Sequence, residues 1–317
     1  MKQFTLCSIL FLGLILFSCK DKPRDSWTDT LTSGFIKIAC DEDFKALMDA
    51  EIQSFGAHNQ EAFINPVYTT EANAIDLLIE DSVRFALVTR DLNKAEKAKL
   101  AERGMEAKRH TIAFDGIAII NNQVNADSII GLPVLKKILT GEITEWSQIN
   151  PNTKYGTIRV IFNNKESGVL RYVADSILRG EANSPNLYAL NSNTEVLEKV
   201  AEMPNSIGII GVNILSDENN LTHHKHKDKI RIMRVSKDEN TSLENSYLPY
   251  AGDIAQESYP LWRPVYVLVS DPRSGLSAGL SIFMSNEIGQ KIILKSGLLP
   301  VTDQNVMKVL IINENPN

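Results

Sequence analysis

The residues best suited to binding a small anion lie in one short stretch, where an apolar run gives way to polar side chains. Residues 158–162 predict a buried strand, polar residues begin at Asn163, and a helix is expected from Ser167 through Leu178. The first N–H groups of a helix have no partner within it, and they carry the positive end of the helix dipole. The Ser167–Gly168 turn is therefore suited to an anion. Such junctions occur in every α/β protein, so the rest of the chain has to decide whether this one binds a ligand.

Three other junctions follow the same pattern, in which a predicted strand ends in small or polar residues and a helix begins. They are Cys40-Asp41, Thr69-Thr70 and Thr89-Arg90. Strands that alternate with helices through short turns predict an α/β fold with a parallel sheet covered on both faces. Ligands bind such sheets at the carboxyl ends of the strands. Four junctions spread over the chain therefore predict a composite ligand site.

Composition bounds the class of protein. The chain has 317 residues, of which 43% are hydrophobic and 23% charged, enough for one large or two medium-sized domains. The formal net charge is -6, and the sequence has no dense patch of lysine and arginine. Nucleic acid is therefore not an expected partner.

The N-terminus predicts the compartment. The apolar run from Phe4 to Phe17 suits the core of a signal peptide and is too short to span a membrane. It ends in Leu16-Phe17-Ser18-Cys19, which resembles a bacterial lipobox. We therefore expect residues 1–18 to be a signal peptide, Cys19 to carry lipid, and residues 19–33 to form a flexible tether. The alternative is an ordinary signal peptide with an incidental cysteine. With Cys7 removed in the signal peptide and Cys19 acylated, Cys40 is left alone and has no partner for an intrachain disulfide.

Five segments carry a resemblance to a known family. Residues 113–119 (Ala-Phe-Asp-Gly-Ile-Ala-Ile) and 138–146 (Ile-Leu-Thr-Gly-Glu-Ile-Thr-Glu-Trp) resemble the paired signature of PstS-type phosphate-binding proteins of ABC importers. Residues 207–209, 259–266 and 289–300 resemble later segments of that family, in the same order. The similarity covers about residues 35–303.

The resemblance implies a type II periplasmic-binding-protein fold, with two α/β lobes joined by two crossover strands. Lobe 1 would comprise residues 34–118 and 247–303, lobe 2 residues 119–246, and residues 304–317 a C-terminal tail. The implied function is capture of phosphate or another small oxyanion for an ABC permease of the inner membrane. The protein would be a monomer, lipid-anchored in the bacterial cell envelope, on the periplasmic side or at the outer membrane. No cofactor, metal or catalytic residue is implied.

The resemblance also implies site residues. The family has an arginine, three spacer residues and then Ser-Gly-Thr at the opening junction. The corresponding positions here hold Asn163, Ser167, Gly168 and Val169, so the arginine and the threonine are replaced. Lys165 or Arg171 could supply the missing positive charge. The other expected ligand-binding residues are Asp41, Thr70, Thr89, Arg90 and Asp115.

Carboxylates near these junctions bear on the choice of ligand. One carboxylate accepts the proton of a hydrogen phosphate, whereas several repel an anion. A like-charge pair about 4 Å apart costs on the order of 4 kcal/mol at an effective dielectric constant of 20. Asp41, Glu42 and Glu71 are therefore either helix caps and surface groups, or the ligand is not inorganic phosphate. The same fold could then bind a different solute or serve as a sensor or scaffold.

Two further motifs invite other functions. Residues 223–226 (His-His-Lys-His) suggest a metal site, but no acidic or cysteine ligand is suitably spaced, so a solvated loop is expected. Residues 275–279 (Gly-Leu-Ser-Ala-Gly) match the nucleophile elbow of serine hydrolases, which needs a strand running directly into the serine. A turn intervenes here, and Ser277 is better interpreted as a helix N-cap. A hydrolase that uses Ser277 is the remote alternative.

Overall fold

A computed structural model describes residues 29–180, 186–216 and 221–301. The predicted signal peptide, the lipidation site at Cys19 and the C-terminal tail lie outside the described residues. Among the residues described, no helix is both long enough and apolar enough to cross a membrane.

The described chain alternates strands and helices. The strands are β1 (Gly34–Asp41), β2 (Ala62–Thr69), β3 (Phe85–Val88), β4 (Lys108–Asn122), β5 (Ile129–Gly131), β6 (Arg159–Phe162), β7 (Leu187–Ala189), β8 (Ser206–Gly211), β9 (Ile230–Ile232), β10 (Arg234–Ser236), β11 (Ser246–Tyr247), β12 (Trp262–Val269) and β13 (Leu299–Pro300). The helices are α1 (Lys45–His58), α2 (Glu71–Ile79), α3 (Lys94–Glu102), α4 (Leu132–Thr140), α5 (Gly168–Tyr172), α6 (Asn193–Glu202), α7 (Val212–Ser216), α8 (Leu221–His226), α9 (Ala251–Ala255), α10 (Leu276–Ser285) and α11 (Glu287–Lys295). Short 3-10 turns cover Glu42–Phe44 and Trp146–Gln148, and α5 continues as a π-helical segment over Val173–Leu178.

The large sheet has the strand order β2-β1-β3-β12-β4-β8-β6-β7, with β13 and β9 also paired to β4. We refer to the part built on β1, β2, β3, β12 and β13 as lobe 1, and to the part built on β6, β7, β8 and β9 as lobe 2. Strand β4 belongs to both, because its partner changes from β12 at Gly116 to β8 at Ile117. The chain returns from lobe 2 to lobe 1 through the segment that contains α9.

The α/β prediction is confirmed, and the predicted parallel pairing holds within each half of the sheet but not at its centre. Strands β1, β2 and β3 are parallel to one another, as are β6, β7 and β8. In the middle of the sheet, β12 is antiparallel to both β3 and β4. Strand β12 is reached only after the chain has returned from lobe 2, and it therefore enters the sheet in the opposite direction.

Both faces of each half of the sheet are buried. Successive residues of a strand point to opposite faces, so β1 sends Ile38 and Cys40 into one apolar cluster and Ala39 into another. In lobe 2, Ile119 and Ile120 of β4 divide in the same way. Because both faces of the sheet are buried, the sequences of these strands are continuous apolar runs.

Several helix ends are placed as the sequence predicts. Asp41 caps the 3-10 turn, Thr70 caps α2, and Asn93 forms a capping box with Glu96 at α3. Helix α4 ends at Gly141, whose φ of 86° lies in the left-handed region that glycine tolerates.

Strand β4 runs unbroken through Asp115 and Gly116, and the carboxylate of Asp115 is paired with an arginine on the neighbouring strand β12. Two local predictions are corrected. Residues 223–226 belong to helix α8 rather than to a loop. The N-cap of α10 is Gly275, and Ser277 lies inside the helix with a buried hydroxyl. Strand β12 ends at Val269, well before that serine, so the elbow geometry is absent here.

Candidate functional site

Polar and charged side chains from both lobes meet in a buried cluster at the carboxyl ends of β1, β3 and β6. We refer to it as the inter-lobe cluster. From lobe 1 come Asp41, Asp43, Glu71 and Thr89; from lobe 2 come Asn163, Ser167, Gly168, Arg171, Asn193 and Asn213; and from the strands β4 and β12 come Asp115 and Arg263. Nearly all of these residues are buried, so each charge depends on its neighbours for stability.

Arg263 lies at the centre of the cluster and is 1% exposed. Its Nε lies 3.0 Å from Asp115 Oδ2, its Nη2 lies 3.4 Å from Asp43 Oδ2, and its Nη1 lies 3.4 Å from Thr89 Oγ1. Burial by itself would lower the pKa of this guanidinium, but Asp115 and Asp43 outweigh burial and raise the pKa overall. Arg263 is therefore a fixed positive charge that links strands β4 and β12 to the 3-10 turn after β1.

A second guanidinium crosses between the lobes at Arg171. Its Nε lies 3.0 Å from Glu71 Oε2, and its Nη2 lies 3.0 Å from Thr89 Oγ1. Thr89 in turn donates to Glu71 from its hydroxyl at 2.8 Å and from its N–H at 3.1 Å. Burial raises the pKa of Glu71, but the charge and hydrogen bonds of Arg171 outweigh that effect and lower it overall. Glu71 is thus an ionised partner inside the cluster, not a surface group.

Asp43 connects more elements than any other carboxylate described above. Its Oδ1 accepts hydrogen bonds from the amides of Asn163 at 2.9 Å and Asn193 at 2.8 Å, while its Oδ2 faces Arg263. The amide of Asn213 donates to its main-chain carbonyl. One carboxylate of lobe 1 is thus held by two amides of lobe 2 and by the central arginine.

The Ser167–Gly168 turn packs directly on this network. Ser167 caps α5 by accepting a hydrogen bond from the N–H of Leu170 at 3.1 Å. A Cβ built on Gly168 would lie 2.7 Å from Arg263 Nη1, 3.0 Å from Thr89 Oγ1 and 3.1 Å from Asp41 Oδ2. Only glycine fits this close approach of lobe 2 to lobe 1.

The other predicted residues occupy the rim or the core. Thr70 caps α2, and its hydroxyl lies 3.4 Å from Glu166 across the lobe boundary. Arg90 forms a bidentate pair with Glu96 of its own lobe, at 2.7 and 2.8 Å, and lines a cavity of about 430 Å³ at the mouth of the cluster. Val169 is fully buried in the apolar core of lobe 2. The structure therefore brings Asp41, Thr89, Asp115, Asn163, Ser167 and Gly168 together, and it places Thr70, Arg90 and Val169 outside that group.

Sequence reasoning missed four members of the cluster as site residues: Asp43, Asn193, Asn213 and Arg263. One of them carried a usable signal. Arg263 interrupts an otherwise apolar strand, and a charge in such a strand needs a buried partner. The two asparagines and Asp43 carried no comparable signal, because asparagine and aspartate at helix starts are usually caps.

Several buried oxygen atoms of the cluster have no hydrogen-bond partner among the described residues. They are Asp41 Oδ2, Asp115 Oδ1, Asn163 Oδ1, Asn193 Oδ1 and Asn213 Oδ1. Burial raises the pKa of Asp115 to about 6, and burial followed by the charge of Asp43 raises the pKa of Asp41 well above its usual value. The cluster therefore offers both fixed positive charges and acceptors for a proton or an O–H group.

The histidine-rich segment is not part of this site. His226 is buried in α8, and neither of its ring nitrogens has a hydrogen-bond partner among the described residues. Within the described ranges, no group of three or more His, Cys, Asp or Glu side chains is placed to hold a metal ion.

The sequence matches a known family of proteins. The sequence profile of the PBP superfamily domain matches residues 25–286. The chain belongs to this superfamily. It is 23% identical to the phosphate-binding protein PstS of Borreliella burgdorferi over 312 residues, covering 95% of this chain and 99% of that protein. It is 24% identical to PstS of Bacillus subtilis over 280 residues, covering 87% and 84%. The resemblance to PstS-type proteins is thereby confirmed.

Solved structures place the fold in the same class. A putative phosphate ABC transporter substrate-binding protein with bound phosphate from Clostridium perfringens has a TM-score of 0.68 at 21% identity, covering 85% of this chain and all of that one. An ABC-type phosphate transport receptor from Vibrio cholerae has a TM-score of 0.63 at 20% identity, covering 84% and 100%. These structures confirm the predicted type II periplasmic-binding-protein fold.

Proposed function

We propose that this chain is a monomeric cell-envelope lipoprotein that captures phosphate or a related oxyanion between its lobes. It delivers the solute to an ABC permease of the inner membrane and catalyses no reaction. One observation carries the proposal: two guanidiniums, of Arg171 and Arg263, and two carboxylate oxygens without partners lie in the same buried cluster between the lobes. The names of the similar proteins, which bind phosphate for ABC transport, support it.

The chemistry favours an oxyanion that still carries a proton. The guanidiniums donate charge-assisted hydrogen bonds to ionised oxygens. Asp41 Oδ2 and Asp115 Oδ1 can accept an O–H from the same solute. A fully ionised anion such as sulfate has no proton to donate. Those carboxylates therefore repel it, at a cost on the order of 4 kcal/mol for each pair of negative charges about 4 Å apart. The site is therefore expected to prefer phosphate to sulfate.

Calorimetric titration of protein lacking residues 1–19 tests the assignment, with phosphate and sulfate as separate titrants. We expect phosphate to bind more tightly than sulfate. Replacing Arg171 with Gln should weaken phosphate binding roughly 10- to 150-fold, the equivalent of about 1.5–3 kcal/mol for a hydrogen bond to a charged group. Arg159→Gln, on an exposed position of β6, serves as the matched control and should leave binding unchanged.

The assignment fails if neither the wild-type protein nor the Asp43→Ala variant introduced below gives heat or thermal stabilisation with phosphate up to millimolar concentrations.

The lipid anchor is the second part of the proposal. It rests on the sequence around Cys19, which follows an apolar segment of signal-peptide length. We expect Cys19→Ser to move the protein from the membrane fraction to the soluble fraction of the expressing bacterium. Cys40→Ser is the control, because that thiol is buried in lobe 1. Retention of Cys19→Ser in the membrane fraction would refute the anchor.

A different solute is the second candidate, and the charge count of the cluster favours it. Asp41, Asp43, Glu71 and Asp115 face two guanidiniums, which leaves more carboxylates than positive charges. A solute with amino or several hydroxyl donors would satisfy the unpartnered acceptors directly. Native mass spectrometry of the purified protein distinguishes the two, because a co-purified mass other than phosphate would replace the first candidate.

A further inference from the structure

We propose that Asp43 is an internal ligand. Its carboxylate occupies the position between the lobes that the anionic group of a solute requires, and it holds the lobes closed without solute. The inference deepens the proposed function and rests on it only for the identity of the competing solute. It makes Asp43 the residue that sets the affinity of the cluster for free oxyanions.

The contacts of Asp43 are those of a bound oxyanion. A carboxylate is a tethered oxyanion, and both oxygens of this one are engaged by donors outside its own turn. Asn163 and Asn193 of lobe 2 donate to Oδ1 at 2.9 and 2.8 Å, and Arg263 approaches Oδ2 at 3.4 Å. The residue is 2% exposed. A free anion could not reach these donors while Asp43 holds them.

The two asparagines have no comparable role within lobe 2. Asn163 lies at the carboxyl end of β6 and Asn193 at the start of α6. Within the described part of the chain, the side-chain amide of each donates only to Asp43, and each Oδ1 has no partner. Buried amide groups are usually satisfied. Their orientation across the lobe boundary therefore indicates donors arranged for an anion, which Asp43 supplies.

Lobe 2 presents neutral side-chain donors to Oδ1 of Asp43, the amides of Asn163 and Asn193. A neutral amide pairs with the carboxylate of lobe 1 without a second guanidinium. The remaining positive charge facing Asp43 is Arg263, which Asp115 also shares.

The consequence is competition within the molecule. A free oxyanion binds these donors only in the fraction of molecules in which Asp43 has withdrawn, so its apparent affinity is reduced by that fraction. Closure without solute follows from the same contacts, since Asp43 belongs to lobe 1 and both asparagines to lobe 2. Removing the carboxylate should therefore open the solute-free protein and strengthen binding of phosphate.

The test compares wild-type protein with Asp43→Ala, each stripped of phosphate. Small-angle scattering should show the same radius of gyration for wild-type protein with and without phosphate. Asp43→Ala should be larger without phosphate, and its dissociation constant for phosphate, measured by calorimetry, should fall by about tenfold or more. Asp49→Ala removes a half-exposed carboxylate of the same lobe and should behave like wild type.

Two outcomes overturn the inference. In the first, solute-free Asp43→Ala has the same radius of gyration as solute-free wild type. In the second, wild type binds phosphate and Asp43→Ala binds it no more tightly. An expanded Asp43→Ala variant that phosphate never closes would support the internal ligand and overturn phosphate as the solute. If Asp43→Ala does not fold, Asp43→Asn keeps the shape without the charge, and it should expand in the same direction by a smaller amount.

Discussion

Adding one methyl group at Gly168 should push the lobes apart. The Cβ of alanine would lie 2.7 Å from Arg263 Nη1, where ordinary contacts begin at about 3.4 Å, so one side has to move by about 0.7 Å. Arg263 cannot swing away freely, because Asp115 and Asp43 hold its guanidinium. Overpacking of this kind costs about 1–3 kcal/mol.

That cost falls on closure rather than on folding of the lobes. Gly168 is the first residue of α5, where alanine is compatible with the helix and reduces the entropy of the unfolded chain. At about 1.4 kcal/mol per factor of ten, the ratio of closed to open molecules of Gly168→Ala should fall roughly 5- to 150-fold relative to wild type. The affinity for solute should fall by a similar factor, because the same turn contacts the site.

Small-angle scattering of solute-free protein measures the opening, and calorimetry measures the affinity. Gly56→Ala is the matched control, because Gly56 lies in α1 with nothing within 4 Å of a built Cβ. That variant should gain up to about 1 kcal/mol of stability and keep wild-type compactness. A Gly168→Ala protein with the wild-type radius of gyration and unchanged affinity would refute the close approach of the lobes.

Three further predictions concern stability. Within the described residues, neither carboxylate oxygen of Glu51 has a hydrogen-bond partner, and burial raises the pKa of this group from 4.5 to about 8. The folded state therefore holds an extra proton and loses stability as the pH rises between these values. Glu51→Gln removes that loss, and its gain in Tm over wild type should grow from pH 5 to pH 8; a gain independent of pH would contradict this. Asp115→Asn leaves Arg263 with less compensation and should cost about 3–5 kcal/mol in urea unfolding, whereas a near-neutral effect would show that Asp43 alone suffices. Tyr259→Phe leaves the buried carbonyl of Ile117 without its 2.6 Å hydrogen bond, which should cost about 1–3 kcal/mol while solute affinity stays unchanged.

Much of the fold was predictable because it depends on local patterns. The apolar run at 158–162, the capping residues Thr70 and Asn93, and the stop at Gly141 each act within a few residues of the chain. The direction of β12 was not predictable in this way. It depends on where the chain has been in lobe 2 before it returns, which no local pattern records.

The residues of the candidate site were likewise predictable only in part. Ser167 and Gly168 are typical of a helix start, and their place in the PstS-type pattern predicts that they bind the ligand. Arg171 was recognised only as one of two candidate replacements for a missing arginine. Both side chains line the cavity at the mouth of the cluster, and Arg171 also pairs with Glu71 and Thr89, so its role in binding remains our proposal.

The sequence by itself determined the fold class, the family and the expected compartment, because periodicity, caps and motif order are properties of short segments. Tertiary structure decided which charges meet. Asp43 and Asn163 are 120 positions apart, and Asp115 and Arg263 are 148 positions apart, yet each pair is in hydrogen-bond contact. Electrostatic interactions depend on distance in space and on burial. Strand pairing establishes both for Asp115 and Arg263, and the closure of lobe 1 on lobe 2 establishes both for Asp43 and Asn163.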